Sequence, residues 1–187
     1  MLRHIKIKNF TTEASILIPE INLSYQVFGK KLGTAPVVLI NHALTGNSGV
    51  AGKEGWWQDV VGDKKAINTQ IYTILSFNIP GNGFDGFVID DYKNFIARDI
   101  AKLFLIGLEK LNIKQLFGLI GGSLGGGIAW EMVVLNSKIT QHFIPIATDW
   151  KSTDWLIANC QIQEQFLKNS CNPVHDARMH AMLCYRT

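Results

Sequence analysis

The segment Leu119-Ile120-Gly121-Gly122-Ser123-Leu124-Gly125-Gly126-Gly127 constrains this chain more than any other. A short apolar run, Leu116 to Ile120, leads into it, and a helix is expected to start just after Ser123. A strand that reverses sharply into a helix crowds its own backbone, so small residues are required two positions either side of the serine. Gly121 and Gly125 stand there and complete the pattern Gly-x-Ser-x-Gly. Such a turn holds the hydroxyl out at the sheet's edge, and the helix N-terminus favours negative charge on a substrate. Ser123 is therefore the candidate nucleophile, and the N–H of Leu124 points where an oxyanion would form. A phosphate loop is the main rival reading. It fails because Gly127 and Ile128 stand where Lys and Ser or Thr are needed.

The order of elements frames this turn. Ile5 and Ile7, then Ile16, Ile18, Ile21, Leu23, Tyr25 and Val27, follow a period of two, which predicts half-exposed antiparallel strands. Beyond Gly33 the pattern changes to short continuous apolar runs: Pro36 to Ile40, Tyr72 to Phe77, Leu116 to Ile120 and Phe143 to Ala147. Runs of this kind suit parallel strands buried on both faces. Between Tyr92 and Leu111 the residues Phe95, Ile96, Ile100, Leu103, Phe104, Leu108 and Leu111 form one helical stripe, with Asp90 and Asp91 at its positive end. A further helix is expected between Thr153 and Leu167. Strand–helix alternation predicts an α/β fold: a mostly parallel sheet entered through an antiparallel N-terminal edge. Ligands bind such sheets at the carboxyl ends of the strands.

Two of the loops at those ends carry motifs. Asn41-His42-Ala43-Leu44-Thr45-Gly46 follows the run ending at Ile40. It is placed either to supply a second oxyanion amide or to form a turn capped locally by His42. Gly81-Asn82-Gly83-Phe84-Asp85-Gly86 matches a dinucleotide fingerprint literally, yet Phe87-Val88-Ile89 separates it from the next helix. A fingerprint must open its helix directly, so this is an ordinary loop.

Composition narrows the classes further. At 187 residues with 47% hydrophobic content, one domain with a real core is expected and disorder is excluded. No apolar run approaches the ~20 residues of a membrane span. The N-terminal residues lack the apolar core of a secretory signal. The net charge of +3 comes from scattered residues, so neither nucleic acid nor membrane is an expected partner. The three cysteines, Cys160, Cys171 and Cys184, form no metal or redox pair, and read as reduced thiols of a cytoplasmic protein with no metal site.

Taken together, Asn41-His-Ala-Leu-Thr-Gly46, Gly55-Trp56-Trp57, Gly121-Gly-Ser-Leu-Gly-Gly126, Ile146-Ala-Thr148 and Ala177-Arg178…Tyr185-Arg186 give the chain its resemblance to a known family. It resembles homoserine O-acetyltransferase, an α/β-hydrolase-fold acyltransferase of methionine biosynthesis. The resemblance implies that Ser123 takes acetyl from acetyl-CoA, the acyl-donor substrate, and passes it to the hydroxyl of homoserine. It implies oxyanion amides from Leu44 and Leu124, and homoserine binding by Arg178 and Tyr185. No bound cofactor is implied, and the complete enzyme is expected as a homodimer. Residues 1–150 would be the N-terminal part of the hydrolase core, and 151–187 the start of a helical lid.

A serine hydroxyl needs an adjacent base, and in this fold the order is Ser, acid, then His. His142 lies at the wrong end of its strand, and His175 and His180 lie in the lid segment. Asp149, just past a strand's carboxyl end, is either an orienting acid for a His or a helix cap ahead of Thr153. The chain is accordingly expected to be an N-terminal portion of an enzyme, without its general base. The alternatives are an esterase or other O-acyltransferase of the same fold, and a non-catalytic pseudoenzyme or binding module.

Overall fold

Branched residues alternating at the start of the chain form a long antiparallel ribbon in the computed structural model, which describes residues 1–89 and 92–185, the side chains of Cys184 and Tyr185 excepted. Strand β1 (Arg3–Thr11) pairs with β2 (Leu17–Gly29) so that Ile5 faces Leu23 and Ile7 faces Ile21. The next strands are β3 (Val37–Asn41), the short parallel pair β4 (Val61–Gly62) and β5 (Ile67–Asn68), and then β6 (Thr73–Phe77). Strand β7 (Leu116–Gly122) and β8 (Thr140–Ile146) follow. The main sheet has the order β1-β2-β6-β3-β7-β8, antiparallel as far as β6 and parallel from β6 to β8.

Continuous apolar runs became strands covered on both faces. In β3, Val37 and Leu39 enter one core, with Leu75, Phe77 and Leu119. Val38 and Ile40 enter the other, with Ile74, Ile120, Val50 and Val61. Each such aliphatic side chain contributes about 1.5–3 kcal/mol when fully buried. Strand β8 departs from that expectation. It begins before Phe143, and Ile144 and Ile146 are 44% and 40% exposed. Its only strand partner among the described residues is β7, so no strand there pairs with its outer edge, and the face of Ile144 and Ile146 is only partly covered.

Helix α1 (Ala97–Lys110) and α2 (Leu124–Leu135) pack together on the first core. The stripe predicted from Tyr92 divides into a 3₁₀ turn, Tyr92–Asn94, and then α1, and Ile96 precedes the helix, 53% exposed. Asp90 and Asp91 lie outside the described residues. The acid that serves the start of α1 is Asp99, fully buried in its first turn. Its carboxylate accepts from Ile96 N at 3.1 Å and from Glu13 N at 2.7 Å, tying the β1–β2 turn to the helix. Charge-assisted bonds of this kind are worth about 1.5–3 kcal/mol each.

The chain divides into two compact units, Met1–Thr148 and Asp149–Thr187. The second holds α3 (Asp154–Asn169) and α4 (Pro173–Tyr185). Thr153 caps α3, its hydroxyl accepting from Leu156 N at 3.2 Å, so the capping role considered for Asp149 belongs to Thr153. Among the described residues no helix is long and apolar enough to cross a membrane.

Candidate functional site

The nucleophile turn is built by steric demand. Ser123 adopts φ 51° and ψ −120°, a conformation that L-residues avoid and that persists only where neighbours over-determine it. A Cβ on Gly121 would run into the Gly125 carbonyl and lie 2.7 Å from Gly126 N. A Cβ on Gly125 would strike the carbonyl oxygens of Asn41 and His42 and lie 2.7 Å from the Asn41 carbonyl carbon. A Cβ on Gly126 would overlap the methyl-bearing side chain of Thr148. Gly122 and Gly127 face open space, so only three of these glycines are needed for closeness.

The amides around Ser123 divide into engaged and open. The N–H of Ser123 donates to Ile146 O at 2.9 Å, which removes it as an oxyanion donor. The Ser123 carbonyl accepts from Gly126 N and Gly127 N at 2.9 and 3.1 Å, starting α2. Leu124 is the first residue of that helix, and a first-turn amide has no carbonyl within its own helix to bond. The Ser123 side chain is exposed at the carboxyl end of β7, and among the described residues no side chain hydrogen-bonds its hydroxyl.

The loop after β3 abuts the same turn. Asn41 is buried, and its Nδ2 donates to Gly125 O at 3.4 Å. Leu44 follows on this loop with its side chain 73% exposed. Between them His42 is buried with both ring nitrogens engaged. Its Nε2 is 3.0 Å from Ile79 N, a backbone donor, so Nε2 must be the acceptor and the proton sits on Nδ1. That proton is donated to Ala43 O at 2.7 Å. Of the two readings open for this loop, the local His cap is thus realised, and it coexists with placement of the loop beside Ser123.

Burial lowers the His42 pKa below its ordinary 6.5, with the bond to Ala43 O opposing part of the shift. Above pH 6.5 the ring is neutral in folded and unfolded chains alike. As pH falls below that value the unfolded chain takes up a proton first, so stability falls, by up to about 1.4 kcal/mol per pH unit, until the folded ring protonates too. Urea unfolding between about pH 8 and pH 5 should show this slope, and His42→Gln should remove that component of it. An unaltered slope in the variant would assign it elsewhere.

The other histidines have local roles. His142 lies near the start of β8, in register with Gly118, its ring edge-on to Phe117 at 4.8 Å between centroids. His175 pairs with Asp176 at 3.0 Å, and Asp176 in turn accepts from the Ser170 hydroxyl. The acid stands between serine and histidine there, so the histidine cannot act on that serine. His180 meets Gln163 Nε2 at 2.8 Å, joining α3 and α4. Asp149 accepts from Trp150 N at 2.9 Å. Arg178 is exposed on α4, and the side chain of Tyr185 lies outside the described residues. Among the described residues no group of three His, Cys, Asp or Glu is placed to hold a metal ion.

The strained serine thus stands between a buried parallel strand and a glycine-rich helix start. The profile of the alpha/beta hydrolase fold matches residues 36–163. The chain belongs to the α/β-hydrolase fold family. Within it, the chain is 29% identical to a homoserine O-acetyltransferase of Corynebacterium efficiens, over 97% of this chain and 55% of that protein. The crystal structure of a homoserine O-acetyltransferase from Staphylococcus aureus superposes with a TM-score of 0.82 at 25% identity, covering 98% of this chain and 57% of that one. Esterase E22 superposes with a TM-score of 0.79 at 23% identity, over 92% and 54% of the two chains, a likeness of fold. The chain thus spans about half the length of the curated relatives it matches. This chain's Gly-x-Ser-x-Gly turn, Gly121 to Gly125, falls within the matched residues.

Sequence reading placed Thr148 within a matching segment without giving it a role, and missed Asn78. Thr148 fills the space over Gly126, and Asn78 sits at the carboxyl end of β6. Asn78 directly follows a strand in which every residue is buried, and its place at that strand's carboxyl end is the one local hint in the sequence.

Proposed function

We propose that the protein transfers an acetyl group from acetyl-CoA to the hydroxyl of homoserine through an acetyl-Ser123 intermediate. The observation that carries this reading is the strained Ser123 held between the engaged amide of its own backbone and the open first-turn amide of Leu124. In the first step Ser123 Oγ bonds to the thioester carbonyl carbon, and the C–S bond then breaks. CoA leaves as the thiol, carrying the proton that a general base has moved from the serine. In the second step the homoserine hydroxyl attacks the acetyl carbon and frees Ser123. Each tetrahedral intermediate places its oxyanion against the amides of Leu124 and Leu44, donors that need no reorganisation as charge develops. Splitting one transfer into two easier steps is what a covalent intermediate contributes. By the resemblance, Arg178 and Tyr185 are the residues expected to bind homoserine, a guanidinium fork being the natural partner of its carboxylate. The likeness to homoserine O-acetyltransferases supports acyl transfer to homoserine; methionine biosynthesis, a cytoplasmic location and a homodimer are what this reading would imply.

Ester hydrolysis is the second reading, favoured by the solvent exposure of Ser123. Acceptor competition separates the two. With labelled acetyl-CoA, the label is expected on homoserine in preference to water. Free acetate formed at the same rate with and without homoserine would establish the esterase. A stable Ser123 that takes no label from acetyl-CoA or an activated ester would leave the binding-module reading.

A further inference from the structure

The loop that carries the Leu44 amide is fixed from outside itself. Leu44 is 73% exposed, so packing of its own side chain does not locate its N–H. The loop is instead held at three points by the chain leaving β6. At its start His42 Nε2 accepts from Ile79 N at 3.0 Å. In its middle Gly46 O accepts from Asn82 Nδ2 at 3.5 Å. At its end Ser48 N donates to Asn78 Oδ1 at 2.7 Å.

Asn78 unites these holds. It is 1% exposed, and each polar atom of its side chain is engaged. Besides Ser48 N, its Oδ1 accepts from Asn82 Nδ2 at 3.3 Å. Its Nδ2 donates to Ser24 Oγ at 2.8 Å, and its backbone N donates to Ser24 O at 2.9 Å, anchoring it to β2. Ser48 is fully buried as well, and its hydroxyl donates to Gln26 Oε1 of β2 at 2.9 Å. Asn78 thereby ties the loop's end and, through Asn82, its middle to β2, beside the separate holds of Gln26 on Ser48 and of Ile79 N on His42. A displacement of about 1 Å in such a donor costs on the order of a hundredfold in rate.

We propose that Asn78 is a positioning residue for acyl transfer, setting where the Leu44 amide stands relative to Ser123. The role rests on the acyl-transfer reading of Ser123, Leu44 and Leu124 given above. The test combines amide hydrogen exchange of the loop with the rate at which p-nitrophenyl acetate acylates Ser123. In Asn78→Ala, exchange at Gly46 and Ser48 should quicken about tenfold or more, and acylation should slow about 10–100-fold with KM held within about twofold. Asn78→Asp keeps the acceptor for Ser48 N and Asn82 Nδ2, and should restore both to within about threefold of the parent. Asp99→Ala destabilises the same unit through Glu13 and Ile96, and should leave exchange in the loop unchanged. Parental exchange at Gly46 and Ser48 in Asn78→Ala overturns the proposal, whatever the acylation rate. So does faster exchange with acylation still within about twofold of the parent. Ser123→Ala runs beside these. Acylation that persists there overturns the reading of Ser123, and the positioning role with it; acylation lost there but unaltered in Asn78→Ala overturns the positioning role alone. A parent that itself takes no acyl group overturns the reading of Ser123 in this chain, and the positioning role with it.

Discussion

Ser123→Gly is expected to make the protein more stable and to remove acyl transfer at the same time. The serine is held at φ 51° and ψ −120°, where its Cβ is crowded by its own backbone. Conformations of this kind cost about 1–3 kcal/mol in a non-glycine residue. Glycine adopts them freely, although its greater freedom in the unfolded chain offsets about 0.4–1 kcal/mol of the gain. The net expectation is about 1 kcal/mol, or a Tm rise of about 2–4 °C for a chain this size. Ser123→Ala keeps the Cβ and so keeps the strain, and should sit within about 0.5 kcal/mol of the parent. Both variants lack the hydroxyl, and acylation at this position should be lost. Calorimetry of the three proteins beside a single acylation assay is sufficient. Equal stability of the Gly and Ala variants would show that no strain is stored at this position. Parental acylation in either would move the nucleophile elsewhere.

Strain of this kind was legible in the sequence only through its consequences. Gly121 and Gly125 flank the serine because the turn closes on itself, and that spacing announced the site before any coordinates. Strands β3, β6 and β7 were legible for a related reason. Both of their faces are covered, so every residue of β3 and β6 is buried, as the continuous apolar runs required. Strand β8 looked the same in sequence, through Phe143, Ile144 and Ile146, yet no strand among the described residues pairs with its outer edge, and Ile144 and Ile146 are partly exposed while Phe143 packs on the core. A run records the capacity to be buried, not the presence of a neighbour. The polar anchors were hidden for another reason: Asn78 finds Ser48 at a separation of 30 residues and Ser24 at 54. No local pattern encodes pairs so distant. Asp99 was overlooked because Asp90 and Asp91 offered a more obvious acid for the same helix. His42 carried two readings because a histidine that caps its own loop and a loop that serves an oxyanion have the same sequence.

Gly125→Ala is expected to be strongly damaging, whereas Gly127→Ala, two residues on, should be beneficial. The added carbon at Gly125 would meet the carbonyl oxygens of Asn41 and His42. These are backbone atoms of a buried strand end, and cannot rotate away as a side chain would. Overpacking against ordinary side chains costs about 1–3 kcal/mol, so a clash with fixed backbone should cost about 3 kcal/mol or more. Relief is available only by moving α2 and the loop after β3 apart. That motion would separate the Leu124 amide from the loop carrying Leu44, so acylation should fall with stability. At Gly127 nothing lies within 4 Å of the added carbon, and the position is inside α2. Alanine is favoured there over glycine by about 0.5–1 kcal/mol, from propensity alone. The two variants should therefore differ by about 4 kcal/mol in urea unfolding, although each adds one methyl to the same helix turn. Because the contrast cancels any general effect of glycine replacement, a difference below about 1 kcal/mol would mean that the loop and the nucleophile turn are not in contact. In that case neither the Leu44 amide nor its anchors would bear on Ser123.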